Sequence, residues 1–160
     1  MPSYTIGAGE LAARYRTDHA DRHKRIVNAL HKSALQGEAI VAQDTPVDTA
    51  RTKNAWHVVR LPDGADLLND SPVAVILEVG SRPHWPPFLP ILQWAARKFG
   101  TAGGKRSFES LSEVDPGLYA IAKGVQKKIA EEGTEPHWMV KKNLPRLRAI
   151  AKRNIEQALK

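Results

Sequence analysis

The sequence predicts an α+β protein in which a small antiparallel or mixed sheet packs with a long N-terminal helix, a proline-led central helix and C-terminal helices. Three observations predict this class. Apolar residues recur at helical spacing towards both ends of the chain. A short central segment is rich in aromatic and β-branched residues, as strands are. Proline, glycine, serine and asparagine separate short apolar segments between residues 45 and 94, which indicates a rigid, sharply folded scaffold.

The first predicted element is a long amphipathic helix from residue 10 to about residue 41. Its apolar residues, among them Leu11, Tyr15 and Leu30, recur near helical spacing with charged residues between them. An interruption near Gly37 stays open as an alternative. We expect the helix to end before Pro46, because the residue that precedes a proline is disfavoured in the α conformation.

A β-hairpin is expected after this helix. Residues 56–61 read Trp-His-Val-Val-Arg-Leu, a composition typical of a strand. Residues 62–64, Pro-Asp-Gly, supply a turn, and Leu67 and Leu68 follow it on the second strand.

The segment at residues 73–79 is ambiguous from its composition. Its β-branched residues favour a strand. Ser71 and Pro72 before it, and Gly80 directly after it, are instead typical of the two ends of a short helix. We favour a helix of two turns because of these end residues.

Two further helices are predicted before the C-terminal segment. One covers residues 87–99 and stops at Gly100, with Pro90 tolerated because it lies in the first turn. The other opens at residues 115–116, Asp-Pro, and stops at Gly133. The residues expected to face the core are Phe88, Ile91, Leu92, Ala95 and Phe99 in the first of these helices, and Leu118, Ile121, Ala122, Val125 and Ile129 in the second.

We expect residues 1–160 to form a single domain, with residues 101–114 as an exposed, flexible loop and residues 136–160 as a basic C-terminal helical segment. A break or kink is predicted at Pro145, because proline lacks a backbone donor. The net charge is +7, and this segment holds seven Lys and Arg residues against Glu156 alone. It is either a solvated helix face or a surface that attracts DNA or an acidic partner. The candidate contact residues are Lys141, Lys142, Arg146, Arg148, Lys152 and Arg153.

An ordered set of short motifs spans residues 45 to 140. Its members are Thr45-Pro46-Val47-Asp48-Thr49, Asn54-Ala55-Trp56, Asn69-Asp70-Ser71-Pro72 with Ala74, Leu77-Glu78-Val79-Gly80-Ser81, Pro83-His84 ahead of a proline-led helix to Trp94, and Gly133-Thr134-Glu135-Pro136 with Trp138 and Met139. In this order and spacing the set resembles the tail-completion or neck proteins of tailed bacteriophages, often labelled minor tail proteins. The chain departs from that family's pattern at Ala50, where the family usually has glycine, and at Thr52, where it usually has an apolar residue.

The resemblance implies a structural virion protein that forms a ring in the neck, joins the capsid connector to the tail and surrounds the channel through which DNA leaves. It implies no enzyme activity and no cofactor or metal. The implied partners are copies of the chain itself, a connector or stopper protein on the head side, and a tail terminator or tail tube protein on the tail side. Packaged double-stranded DNA is a further candidate, and a membrane is not. The protein would be located in the virion neck or tail after assembly in the host cytoplasm.

Two groups of residues are singled out, the first by the resemblance and the second by its prolines and its tryptophan. The motif residues with an implied structural role are Pro46, Asp48, Thr49, Trp56, Ser71, Glu78 and Gly80. We expect Asp48 and Thr49 to cap the short segment that follows them, and Glu78 to accept backbone donors from the turn after it. The residues predicted to contact a neighbouring protein are Arg82, Pro83, His84, Trp85, Pro86 and Pro87. Trp85 would be a buried anchor there, or would cover the core of its own domain.

Three other functions stay open as alternatives. One is a tail terminator ring of the same virion region, and another is a basic DNA-binding protein. The third is a metal-dependent hydrolase, for which Glu78, His84 and His137 could gather, and His19 and His23 share a helix face. The chain lacks a His-Glu-x-x-His pattern and the common nucleophile and phosphate-binding motifs. Cysteine is absent, so thiolate ligands, cysteine nucleophiles and disulfides are excluded. No apolar run approaches the roughly 20 residues that span a bilayer, so we expect a soluble chain.

Overall fold

The computed structural model of the protein describes residues 7–100 and 114–160, and these residues form two compact units. The first unit contains the described residues up to Asp44, together with Ala55–Asn69 and Lys142–Lys160. The second contains Thr45–Asn54 and the described part of Asp70–Lys141. The single domain expected from the sequence stays a prediction. The predicted flexible loop at 101–114 lies, except for its last residue, outside the described residues.

Six α-helices and two strands make up the described part of the chain, which confirms the predicted α+β class with its long N-terminal helix. In chain order they are α1 (Ala8–Asp44), α2 (Arg51–Asn54), β1 (Trp56–Leu61), β2 (Gly64–Asn69), α3 (Val73–Val79), α4 (Phe88–Phe99), α5 (Pro116–Glu132) and α6 (Leu144–Ala158), with a turn of 3-10 helix at Lys141–Asn143. None of the described helices combines the length and the apolarity needed to cross a bilayer.

The first unit is built on the second half of α1, which packs against α6 and the hairpin. The hairpin is antiparallel, and Leu61 lies opposite Gly64, so the predicted turn has two residues in its loop. Helix α1 continues through Gly37 without a break. A Cβ atom at Gly37 would lie 3.1 Å from Leu147 Cδ2, so this glycine permits the close approach of α6.

A polar contact inside this packing also joins α1 to α6. Asn154 is buried, and its Nδ2 donates to Ser33 Oγ and to Gln36 Oε1, each at 2.9 Å. A buried amide that finds two acceptors avoids the penalty of an unsatisfied polar group, and it fixes how the two helices align.

The core of the second unit lies between α4 and α5. Leu92, Ala95, Ala96 and Ala122 are buried there, with half-buried side chains around them. Two predicted core positions are wrong, because Phe99 and Ile121 are exposed. The buried residues of α4 are instead Leu92, Ala95 and Ala96.

Two helix ends in this unit follow the predicted chemistry, although the N-cap of α3 is Pro72, not Ser71, and no side chain caps it. The segment at 73–79 is helical, as its end residues indicated, and the N–H of Gly80 donates to the Ile76 carbonyl at 2.8 Å. Asp115 caps α5, since its Oδ1 accepts from the N–H of Gly117 at 2.8 Å and of Leu118 at 3.1 Å.

The predicted helix from residue 136 and the kink at Pro145 are both wrong. Residues 134–138 hold no helix, and α6 begins at Leu144, so Pro145 lies in its first turn. Proline is tolerated there because the first backbone N–H groups of a helix have no partner within it. The sequence pattern could not distinguish a helix-opening proline from a kink.

Candidate assembly surface

Two motifs of the sequence meet in the second unit, although more than fifty residues separate them. Ser81 and Thr134 form an antiparallel bridge, with N···O distances of 3.1 and 3.2 Å. Gly80 and Gly133 flank it with φ values of 75° and 80°, and a Cβ atom on Gly80 would lie 2.4 Å from the Thr134 carbonyl oxygen. Only glycine fits so close a backbone approach at positive φ.

Glu78 strengthens the same junction from α3. Its Oε2 accepts from the N–H of Val140 and its Oε1 from the N–H of Lys141, both at 2.9 Å. The predicted role as a backbone acceptor is therefore seen, but the donors belong to the C-terminal part of the unit and not to the turn after Glu78. Both carboxylate oxygens of Glu78 are engaged, so the motif holds two backbone segments together.

Asp48 binds Arg97 and does not cap α2 as we expected. Arg97 Nε donates to Asp48 Oδ1 at 2.9 Å, and Arg97 Nη2 donates to Oδ2 at 2.5 Å. This hydrogen-bonded guanidinium holds the pKa of the Asp48 carboxyl below its usual value. The bidentate pair fixes the loop that contains Asp48 to α4.

The two departures from the family pattern lie in the same loop region. Ala50 has a φ of 61°, a left-handed conformation that costs a residue with a Cβ atom about 1–2 kcal/mol. Thr52 Oγ1 lies 2.9 Å from Ser71 Oγ, so the hydroxyl at the second departure has a polar partner. Of the remaining motif residues, Pro46 and Thr49 are exposed.

Trp56 is buried, but it lies in the first unit, at the start of β1. The motif set inferred from sequence is therefore distributed over both units.

The proline-rich segment between α3 and α4 is attached to α5 at intervals of a few residues. The N–H of His84 donates to the Ile129 carbonyl at 3.3 Å, and Gln126 Nε2 donates to the Pro86 carbonyl at 2.8 Å. At the start of α4, the ring of Phe88 packs edge-on against Tyr119, with 5.1 Å between ring centroids. These contacts, with the fixed φ angles of its prolines, make the segment rigid.

Trp85 lies within this rigid segment and is 72% exposed. It does not cover the core of its own domain, which was the alternative interpretation. Of its neighbours, Arg82, Pro83, His84 and Pro87 are exposed and Pro86 is half-buried. A solvent-exposed indole on a fixed backbone is large and conformationally restricted, as the anchor residues of protein interfaces are.

Helix α3 adds an exposed aliphatic face to the second unit. Val75 is 67% exposed, and Ile76 and Val79 are also exposed. Val75 and Val79 are four residues apart and therefore lie on one side of the helix. This side of α3 is therefore an exposed aliphatic surface of the second unit.

The basic C-terminal residues belong to both units. Lys141 belongs to the second unit, where its Nζ lies 3.7 Å from the centroid of the Trp138 ring, and Lys142 pairs with Asp44 in the first unit at 3.5 Å. Helix α6 carries the rest as two pairs. Arg146 and Arg153 are seven residues apart and share one side, whereas Arg148 and Lys152 are four apart and share another.

The histidines do not form the metal set considered from the sequence. Within residues 7–100 and 114–160, no three His, Asp or Glu side chains lie close enough to hold a metal ion, so Glu78, His84 and His137 are not gathered. His23 Nε2 instead lies 3.2 Å from Asp63 Oδ1 in the first unit. The ring of His19 lies beside Tyr15, with centroids 6.5 Å apart.

Sequence reasoning missed Arg97 and Gln126, which hold the loop and the proline-rich segment. Gln126 had a detectable signal, because it lies four residues after Ala122 on the apolar side of α5, where a polar residue requires a partner. Arg97 had none, since an arginine near a helix C-terminus is common for reasons of charge alone. Comparison with protein families, with curated proteins and with solved structures found no match to this chain.

Proposed function

We propose that this chain is a structural subunit of a tailed-bacteriophage virion. It forms a ring with copies of itself in the neck, joins the capsid connector to the tail, and surrounds the channel through which DNA leaves. Its partners are a connector or stopper protein on the head side and a tail terminator or tail tube protein on the tail side. The basis is the resemblance of its ordered motifs to tail-completion or neck proteins, together with the surfaces described above.

The observation that carries the proposal is that the Trp85 side chain is exposed to solvent on a backbone that other contacts fix. Burial of an indole of this size would stabilise the fold by about 2 kcal/mol or more. Here the backbone around it is fixed by His84, Pro86 and Phe88, and yet the ring is left in solvent. A rigid, exposed aromatic residue loses little entropy on binding and suits a permanent protein contact.

The use of the motif residues supports a scaffold over a catalyst. Glu78 and Asp48 each engage both carboxylate oxygens with structural partners. Gly80 and Gly133 permit two backbone segments to meet. Residues with these structural contacts fix the shape of the unit's surface. A ring subunit needs surfaces of fixed shape to bind its identical neighbours and the rings above and below it.

The exposed cations of α6 are the proposed contact with DNA or with an acidic neighbouring ring. Arg146, Arg148, Lys152 and Arg153 are all exposed. Arg146 and Arg153 lie on one side of the helix, and Arg148 and Lys152 lie on another. Only one of these pairs can therefore lie directly against a given partner surface. Modest cation density suits a channel component, since strong attraction to phosphates would oppose the passage of DNA.

Replacement of Trp85 by serine tests the proposal. We expect W85S to fold normally by circular dichroism, because the ring covers no core, and to join heads to tails far less efficiently in a complementation assay. Phe99→Ser is the matched control, since Phe99 is an exposed aromatic residue at the far end of α4. Normal incorporation of the W85S chain into infectious particles would contradict the proposal.

A further inference from the structure

The first half of α1 is an exposed helical arm, which we define as residues 8–25. Every residue of the arm is exposed, whereas burial begins at Ile26 and Val27. At 1.5 Å per residue the arm is about 27 Å long. Leu11 is 61% and Tyr15 is 72% exposed. The free energy of a helix comes mainly from packing of its apolar side, so an arm without such packing is incomplete as it stands.

The arm has an apolar stripe that continues the packed side of the same helix. Ala8, Leu11, Ala12 and Tyr15 recur at spacings of three and four residues and therefore share one side. With 3.6 residues per turn, this side runs on past His19 and Arg22 to Ser33, which accepts a hydrogen bond from Asn154 of α6, and to Gly37, which lies beside Leu147 of α6. The stripe thus lies on the same side of α1 as residues that pack against α6.

The first unit also contains an apolar groove, between α1, the hairpin and α6. Its volume is about 570 Å³. The walls are formed by Leu30, Ala34, Gly37, Leu61, Leu147 and Ala151. Two carboxylates, Asp63 and Asp66, lie at its edge. One oxygen of Asp63 contacts His23, and the Asp63 side chain is still 89% exposed.

The arm and the groove match in polarity and charge. Arg14 and Arg16 lie on either side of the apolar stripe, and the two aspartates, Asp63 and Asp66 of the hairpin, line the apolar groove. A helix that lays i and i+4 apolar residues into a groove is a common mode of recognition. Oppositely charged edges orient such a complex and favour its partner over others.

We infer that the arm of one copy binds in the groove of a second copy of this chain. The arm cannot reach the groove of its own chain, because Ala12 and Ala34 lie on one uninterrupted helix and are about 33 Å apart along it. Each copy offers both an arm and a groove, so the contact links copies head to tail. A contact of that kind closes into a ring when its rotation permits, and the inference in this respect rests on the proposed function.

Disulfide trapping tests the contact directly, because the chain has no cysteine of its own. Ala12→Cys, on the stripe, is combined with Ala34→Cys or with Ala151→Cys in the groove, and the purified chain is oxidised. The matched control replaces Ala13, which lies on the opposite side of the arm. We expect the Ala12 pairs to give about tenfold more linked chains than the Ala13 pairs, since a disulfide needs Cα atoms within about 7 Å. Adding Leu11→Ser and Tyr15→Ser should abolish this difference.

The outcomes separate this inference from the proposed function. A ladder of linked oligomers supports both the contact and a ring. Linking that stops at dimers supports the contact, through reciprocal exchange of arms, and contradicts the ring. Equal or negligible linking through Ala12 and Ala13 overturns the contact, which is the result expected if another protein or DNA covers the arm. A neck that contains the chain as a ring would in that case leave the proposed function standing.

Discussion

Glu78 shows how one side chain can hold a motif together. It accepts from two consecutive backbone N–H groups, those of Val140 and Lys141. Hydrogen bonds to a charged acceptor stabilise a protein more than neutral ones do. The residue therefore links α3 to the end of the second unit in a way that no neutral side chain reproduces fully.

We predict that Glu78→Ala lowers the free energy of unfolding by about 1–3 kcal/mol, because two backbone donors lose their acceptor. Glu78→Gln should cost less, since its carbonyl oxygen still accepts one of the two bonds. Denaturant unfolding of the purified chain measures both. Glu135→Ala, at an exposed position, is the control and should change little. Equal stabilities of the Glu78→Ala and Glu135→Ala chains would show that this account of the motif is wrong.

Single residues differ in how far their roles could be predicted. Gly80 was expected at a helix end, and its positive φ follows from that position. Ala50 stands where the family that the motifs resemble usually has glycine, and its φ is positive, a conformation that glycine adopts without strain. The left-handed conformation of Trp138, with a φ of 54°, had no signal in the sequence. The residue types along the chain predict the turns that a glycine or a cap residue forms. They do not predict a backbone conformation that contacts with distant residues impose.

The helices and the hairpin were predictable where local and long-range preferences agree. The hairpin has a strand composition on both sides of a Pro-Asp-Gly turn, and it forms with that turn. Helix α6 was assigned too early in the chain because a basic, polar segment gives no boundary signal ahead of Pro145. The Asp48–Arg97 pair could not be predicted at all, since 49 residues separate its members.

The Asp48–Arg97 pair should make stability depend on pH. Arg97 lowers the pKa of Asp48 in the folded chain below the ordinary value of 3.8. The unfolded chain then binds the proton more readily, so the contribution is complete well above pH 3.8 and is lost as the pH falls through the folded pKa. Because both side chains are partly exposed, we expect the contribution to be only about 0.2–1 kcal/mol.

Unfolding by denaturant at neutral pH and at about pH 3 measures this contribution. Asp48→Asn should destabilise the chain at neutral pH and lose most of that effect in acid. Asp18→Asn, which removes a carboxyl from the exposed arm, is the control. A destabilisation by Asp48→Asn that is the same at both pH values would exclude the ion pair as its cause.

Charge reversal on α6 tests whether this helix contacts DNA. Lys152→Glu with Arg153→Glu should weaken binding to duplex DNA and make it less sensitive to salt, by about one unit of slope for each phosphate that the helix no longer neutralises. Lys127→Glu with Lys128→Glu on α5 is the matched control, since both of those lysines are exposed. Equal reductions in affinity from the two double variants would assign DNA binding to net charge alone and not to α6.

At the scale of the whole molecule, several large apolar side chains of the chain are exposed to solvent. Tyr15 in the arm, Val75 on α3 and Trp85 in the proline-rich segment are each at least two-thirds exposed. From the sequence, Trp85 was expected either to contact a neighbouring protein or to cover its own core, and the exposure of the arm was not expected, because a helical period does not reveal which half of a helix is packed. Exposed apolar surfaces in both units are what we expect of a subunit that completes its packing on assembly.

Imaging of an intact particle by electron cryomicroscopy is the most direct test of the proposed ring. We expect density for this chain between the capsid connector and the tail, as a closed ring of copies around the DNA channel with Trp85 against a neighbouring protein. A neck without this chain, or isolated copies that do not contact one another, would contradict the account.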